Sequence, residues 1–402
     1  MTTRISFGRG PVAAVAVAGA LAALAVPMTG TVRAETAKAE TAKTEAGAFP
    51  VLTQPALTTP KAAGAAMLGL ARAGQRLVAV GERGIILLSD DRGERWRQAR
   101  VPVSVSLTAV RFVTERTGWA VGHFGVVLRT DDGGESWTKQ LDGVAAARLV
   151  AQTAADLVRL GAPDAEGLRE TSLRLVEEGP DKPFLDLFFA NEREGIIVGA
   201  YNLAFRTQDG GRSWTPWMHR LDNPKGLHLY GIAKGQGPAA GDLYIVGEQG
   251  VLLRSTDGGE RFTALPSPYK GSWFGALTTA DGGLLAYGLR GSLYRSTDRG
   301  ESWTAIDTGV ASGIGAALAL EGNRVVLASQ TGDLLTSRDG GATVQPAPAR
   351  KAPLTALADG GGGRLALASL RGVMTLDPSA PSRPAPSQSP ASSQPPAQGS
   401  VR

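Results

Sequence analysis

Cysteine is absent from all 402 residues, which excludes disulfides, thiolate metal sites and a cysteine nucleophile. Histidine is scarce: His123, His219 and His228 are the only three, and their spacing does not suit a metal cage. No phosphate-loop phrase and no Gly-x-Ser-x-Gly elbow is present. Charge of one sign is also in short supply. The formal net charge is +5, but the first 34 residues hold Arg4, Arg9 and Arg33 and no acid, leaving +2 for the remainder. A generally basic, nucleic-acid-binding protein is therefore not expected.

Long apolar runs are missing as well. The longest, residues 12–26, falls short of the roughly 20 residues of a membrane helix. It follows Arg4 and Arg9, is broken at 27–30, and precedes a small-residue cleavage site ending at Ala34. Residues 1–34 read as a signal peptide for export to a periplasm or beyond, with an uncleaved anchor as the alternative. Residues 35–48 read as a flexible leader, and the Pro/Ser-rich residues 377–402 as a disordered tail.

What is plentiful is turn-forming chemistry, with 53 Gly and 24 Pro, and it is periodic. Gly81, Gly122, Gly199, Gly247 and Gly288, followed by Ser329 and Ser369, lie 41, 77, 48, 41, 41 and 40 residues apart. An aromatic residue stands 15 positions after each of the five glycines: Trp96, Trp137, Trp214, Phe262 and Trp303. Each unit reads as short apolar strands, as in "LTAVRFV", "GWAVG", "GVVLRT" and "WTKQL". Four strands repeating near 41 residues match a propeller blade, and seven units are counted. The expectation is an all-β, single seven-bladed β-propeller over residues 49–376. The seventh unit lacks a fourth strand, and the segment "FPVLTQ" (49–54) is expected to supply it.

A phrase of the form Ser/Thr-x-Asp-x-Gly-x-x-Trp recurs between the third and fourth strands. Its members are Asp91 with Trp96, Asp132 with Trp137, Asp209 with Trp214, Asp257 with Phe262, Asp298 with Trp303, and Asp339. The carboxylate can accept backbone N–H groups while glycine takes a positive φ, which suits a structural turn. A catalytic group would be needed once, not in every blade.

These residues are the Asp-box, and residues 49–376 resemble Asp-box (BNR-repeat) propellers. Joined to "VGxxG" hairpins in one ring, they look most like the photosystem II stability/assembly factor family. The resemblance implies an exported, non-enzymatic scaffold, without cofactor or metal, that binds a membrane protein or an assembly intermediate of a membrane complex. A monomer is expected. Asp-boxes also occur in sialidases and polysaccharide hydrolases, so a carbohydrate-active hydrolase or a glycan-binding module is the alternative. Against it, the sequence nominates no carboxylate pair outside the boxes, as glycoside hydrolysis requires, and no catalytic residue is assigned.

Two sets of residues are candidates for partner contact. Arg83, Phe124, Tyr201, Arg290 and Arg371 share one position at the tips of the second-to-third-strand hairpins, where a turn would prefer Gly, Asn or Asp. Arg129, Arg206, Arg254 and Arg295 each stand seven residues after the repeat glycine. They read either as stems covering a strand edge or as a basic patch. The 77-residue interval holds an insertion, 143–179, read as two helices broken near Gly161. Val150, Leu157 and Leu160 are expected on one apolar stripe, and Leu168, Leu175 and Val176 on another. This hairpin is expected to dock a partner on the same face as the tips.

Overall fold

The second strand of every repeat is built to be covered on both sides. "RLVAVG", "GWAVG", "GIIVG", "LYIVG" and "LLAYG" are continuous apolar runs, and nearly every residue in them is buried. Such strands need a neighbour against each face. A ring of radially stacked sheets provides it. The computed structural model, which describes residues 49–162, 165–347 and 352–377, has seven antiparallel sheets. Six are four-stranded meanders and the seventh has three strands. The blades span residues 67–98, 107–141, 184–216, 229–264, 273–305, 314–346 and 354–376. The fold is a seven-bladed β-propeller. Residues 1–34 and 35–48, read from the sequence as signal peptide and leader, and the residues beyond Asp377, read as a tail, lie outside the described residues.

The repeat glycine has a steric cause. It ends the second strand in extended conformation, and a Cβ on Gly81, Gly122, Gly199, Gly247 or Gly288 would lie 2.1–2.3 Å from a carbonyl oxygen preceding the first strand. No side chain fits that approach. Each innermost strand then carries a register shift just after its start, in all seven blades. The residues skipped are Leu68, Thr108, Leu185, Tyr230, Phe274, Gly315 and Thr355. A bulge re-aims the skipped side chain and adds local twist. Thr108 uses this to donate to the Phe184 carbonyl of the next blade at 2.7 Å, and Thr355 to Met67 at 2.6 Å.

Closure differs from the sequence expectation. Residues 50–57 do not add a strand to blade seven. Pro50–Leu52 form a single 3-10 turn, and the segment docks at blades one and two. Ser104 donates to Val51 at 2.9 Å, Ala56 to Val101 at 3.1 Å, and Lys139 Nζ to Leu52 at 3.0 Å. Pro50, Pro55 and Pro60 explain this, since three prolines at five-residue spacing remove ladder donors. The ring closes through side chains instead. Met67, Leu70, Leu77 and Ala79 of blade one share a core with Ala358, Ala366 and Ala368 of blade seven. Arg72–Asp359 (3.1 Å) and Arg364–Glu94 (2.9 Å) pair across the seam.

The insertion between blades two and three is a helical hairpin, α1 (Gly143–Arg159) and α2 (Ala165–Glu178). Asp142 caps α1 by accepting from Ala145 N–H at 3.0 Å. The buried stripes are Ala146, Val150 and Ala154 on α1, and Ala165, Leu168, Ser172 and Leu175 on α2. This differs from the stripe expected on apolarity alone: Leu160 is 80% exposed and Val176 66%. The small residues Ala146, Ala154 and Ser172 are buried alongside Val150, Leu168 and Leu175.

Candidate interaction surface

In this meander the hairpin tips and the blade-to-blade connections share one face, and the Asp-box turns occupy the other. Within the boxes each aspartate accepts hydrogen bonds from its own turn. In blade two, Thr130 Oγ1 donates to Asp132 at 2.8 Å and accepts from Gly134 N–H at 2.9 Å. Asp132 also accepts from the Ser136 amide and hydroxyl at 3.0 and 2.5 Å. Trp137 Nε1 closes the turn on the Gly134 carbonyl at 3.0 Å. The same bonds hold Asp91, Asp209, Asp257, Asp298 and Asp339 to their Ser or Thr and to the amide four residues on. Hydrogen bonding from Ser302 pushes the Asp298 carboxyl down to about 2, and bonding from Ser337 does the same for Asp339.

The four pre-box arginines reach across to neighbouring groups rather than to solvent. Arg129 Nη1 donates to the Gly210 carbonyl of the next blade's box at 2.9 Å, Arg254 to Arg299 at 3.0 Å, and Arg295 to Gly340 at 3.0 Å. Each also pairs with a carboxylate: Asp131 (2.7 Å), Glu301 (2.9 Å) and Asp281 (2.9 Å) respectively. Arg206 pairs with Glu260 of the next blade at 2.5 Å. Their side chains are only 11–21% exposed. In blade one, where Leu88 takes the equivalent position, Arg76 makes the same reach to Gly133 at 3.0 Å.

The tips have another character. In five blades the first central residue of the turn is left-handed: Arg83 (φ 53°), Phe124 (φ 55°), Tyr201 (φ 55°), Gln249 (φ 51°) and Arg290 (φ 58°). The second central residue also has positive φ, and the turn closes with bonds such as Ile85 N–H to Glu82 at 3.0 Å. These are type I′ turns, which favour Asn-Gly. Placing Arg, Phe or Tyr there costs about 1 kcal/mol per residue. Arg371 is different. Blade seven is one residue shorter at this point, Gly372 takes the positive φ (101°), and Arg371 N–H is held by Ser369 Oγ at 3.1 Å.

Around Tyr201 the tip face carries an aromatic row that the repeat does not single out. Tyr201 N–H donates to His228 Nδ1 at 2.8 Å, and the two rings meet edge to face at 4.6 Å. His228 neighbours Tyr230 (6.1 Å), and Tyr230 meets Phe274 at 6.1 Å. Lys182 Nζ sits 5.7 Å over the Tyr201 ring. Tyr230 and Phe274 are the bulge residues of blades four and five. Burial, helped by Glu248, pushes the Tyr230 phenol above its ordinary value, so it remains a neutral hydrogen-bonding group. The sign that could have found both is their place directly before a glycine, Gly231 and Gly275, in the innermost strand.

The comparisons with known proteins agree with this architecture. Residues 59–153 and 168–352 match the family described as photosynthesis system II assembly factor YCF48; the unmatched stretch between them lies in the helical hairpin. A curated relative, the photosystem II assembly lipoprotein Ycf48 of Synechococcus sp. (strain CC9902), is 33% identical over 82 residues. That match spans 20% of this chain and 23% of the relative. Among solved structures, YCF48 bound to a D1 peptide superposes with a TM-score of 0.57 at 18% identity, covering 80% of this chain and 95% of that one. YCF48 from Cyanidioschyzon merolae gives 0.56 at 15%, covering 79% and 96%. A GH74 enzyme from Niastella koreensis also gives 0.56 at 15%, covering 79% of this chain and 53% of its own. At these identities the structures speak for the fold alone. The family match covers most of the propeller, and the chain belongs to the photosystem II assembly factor YCF48 family.

Proposed function

We propose that the chain is an exported, non-enzymatic scaffold that holds a segment of a membrane protein during assembly or function of a membrane complex. The observation that carries this reading is the tip ring. Bulky side chains stand at left-handed positions where Asn or Gly would be more stable, and they recur in five blades on one face. Local strain kept at equivalent surface positions points to a use for those side chains. Arg83, Phe124, Tyr201 and Arg290, with His228, Tyr230 and Phe274 beside them, form the contact surface. Aromatic and arginine side chains are the common anchors of interfaces. The helical hairpin joins this surface, since it enters the ring beside the Phe124 tip.

The pre-box arginines are assigned a different duty in this reading. Arg129, Arg206, Arg254 and Arg295 clamp neighbouring groups, and contact with a partner would require their ion pairs to open. Arg371 stands at the margin of the ring. Two relatives support the class of partner: one is named a lipoprotein, and another was solved with a D1 peptide. A membrane-complex subunit with a water-exposed segment is the matching partner here.

Cross-linking mass spectrometry on the full chain added to detergent-solubilised membranes tests the reading. Cross-links from a membrane protein should concentrate on the tip face and the hairpin. Cross-links confined to the Asp-box face would overturn it, and so would robust turnover of a glycoside panel.

A further inference from the structure

A recess adjoins the tip ring on the rim where blades three and four meet. It has a volume of about 800 Å³, within the roughly 300–1,000 Å³ range of ligand sites. One wall is α2, and the other is the connection from blade three to blade four together with the outermost strand of blade four. The floor is apolar and buried, made by Met218, Leu221 and Phe262.

The rim is cationic. Arg174, Arg220, Lys225 and Arg261 line it against two carboxylates, Glu170 and Asp222. Asp222 is already committed, accepting from Ala264 N–H at 3.3 Å. Among the described residues none of the four cations forms an ion pair, in contrast to the four pre-box arginines. They come from three separate stretches of chain: Arg174 from α2, Arg220 and Lys225 from the connection, and Arg261 from blade four. That spacing suits carboxylates distributed along an extended strand better than one compact phosphate.

The recess is also held in shape. Buried Asn223 donates to Asn202 Oδ1 and to the Leu227 carbonyl, both at 2.9 Å, which fixes the connection. Arg220 stacks on Trp217, 5.3 Å from the ring centre, and Arg206 lies over the same ring at 5.0 Å. Ordering these groups before binding lowers the entropic cost of capturing a ligand. Gly167 on α2 faces the opening: it is exposed, and a Cβ there would meet nothing within 4 Å. Its smallness serves no packing need, and its effect is to leave the recess open.

We infer that the recess between α2 and the blade three–four connection binds an extended acidic peptide segment, its carboxylates paired with Arg174, Arg220, Lys225 and Arg261. The inference rests on the scaffold reading for the class of ligand, and its residues are distinct from Arg83, Phe124, Tyr201 and Arg290 of the tips.

Fluorescence anisotropy tests it with the full chain and a labelled ten-residue peptide of alternating Glu and Ser. The Gln/Ser peptide serves as control, and vesicles of anionic phospholipid as competitor. The Glu peptide should bind at least tenfold more tightly than the Gln peptide. Gly167→Phe should weaken it at least tenfold, while Gly167→Ala, which leaves the recess open, should bind as the wild type does. Arg174→Glu with Lys225→Glu should remove binding. Equal affinity for the two peptides, or no effect of Gly167→Phe, overturns the inference. So does a Gly167→Phe effect seen on vesicle binding alone, which would assign the recess to lipid. Tip variants are scored on recovery of a membrane partner, so failure here leaves the reading of the tip face intact.

Discussion

Tyr201 and His228 hold one another at the junction of blades three and four: the Tyr201 amide donates to His228 Nδ1 at 2.8 Å while the rings stand edge to face. The bond fixes a tyrosine in left-handed backbone and aims its ring at solvent, where it is 43% exposed. Nδ1 accepts this bond with its ring lone pair, so the imidazole serves as a local clasp.

Strain at the tips predicts a trade between stability and binding. Arg83 and Arg290 are exposed, left-handed and followed by Gly84 and Gly291. Arg83→Asn and Arg290→Asn create the Asn-Gly pair that type I′ turns favour. Each should stabilise the protein by about 1 kcal/mol, read as a higher urea midpoint. A lower midpoint would mean the arginine makes a compensating contact in the free protein.

The pre-box arginines predict the opposite sign. Arg295→Met keeps the stem but loses the bonds to Gly340 and Asp281. Stability should fall by about 1–3 kcal/mol. An unchanged midpoint would show that these arginines carry no structural duty, and would return them to the list of partner contacts.

Acid should loosen the ring through its boxes. Asp298 and Asp339 have folded-state values near 2, below the ordinary carboxylate range, because hydroxyl and amide donors stabilise the anion. A lowered folded value contributes stability that is complete above about pH 4 and is lost as pH falls through about 2. Urea midpoints measured from pH 5 to pH 2 should therefore decline. Asp298→Asn with Asp339→Asn should start lower and decline less steeply. An identical slope in the variant would remove the boxes as the source of acid lability.

The seam between blades seven and one carries a further prediction. Because residues 50–57 add no strand, a chain beginning at residue 58 should still fold cooperatively. It loses buried Leu52 and the bonds to blades one and two, a cost of about 2–3 kcal/mol. Failure of blade seven alone, seen as rapid exchange of amides in residues 354–376, would restore the strand-exchange model.

Most of this fold was legible because its repeat is written in steric terms. Gly81, Gly122, Gly199, Gly247 and Gly288 mark one close backbone approach, and Asp132 with Trp137 marks one turn, so counting them counts blades. Arg371 reads as equivalent to the other tips, because the shorter turn begins only after Ser369 and leaves the repeat interval untouched. What local pattern could not supply was anything set by contacts between distant segments. Tyr230 and Phe274 meet only when blades four and five stand side by side. The prolines at 50, 55 and 60 speak against a strand, a signal that an expectation built on ring closure alone did not use. The hairpin stripe was read correctly at Val150, Leu168 and Leu175 but misassigned at Leu160 and Val176, because the small Ala146, Ala154 and Ser172 are buried where apolarity alone gave no sign of them.

The most direct test of the scaffold reading combines four tip substitutions: Arg83→Asn, Phe124→Asn, Tyr201→Asn and Arg290→Asn. Wild type and variant would be used as bait on solubilised membranes, and the recovered membrane protein quantified alongside the urea midpoint of each bait. The tip-ring account predicts at least a tenfold loss of recovery from a bait that is no less stable than the wild type. Equal recovery by the folded variant would contradict it.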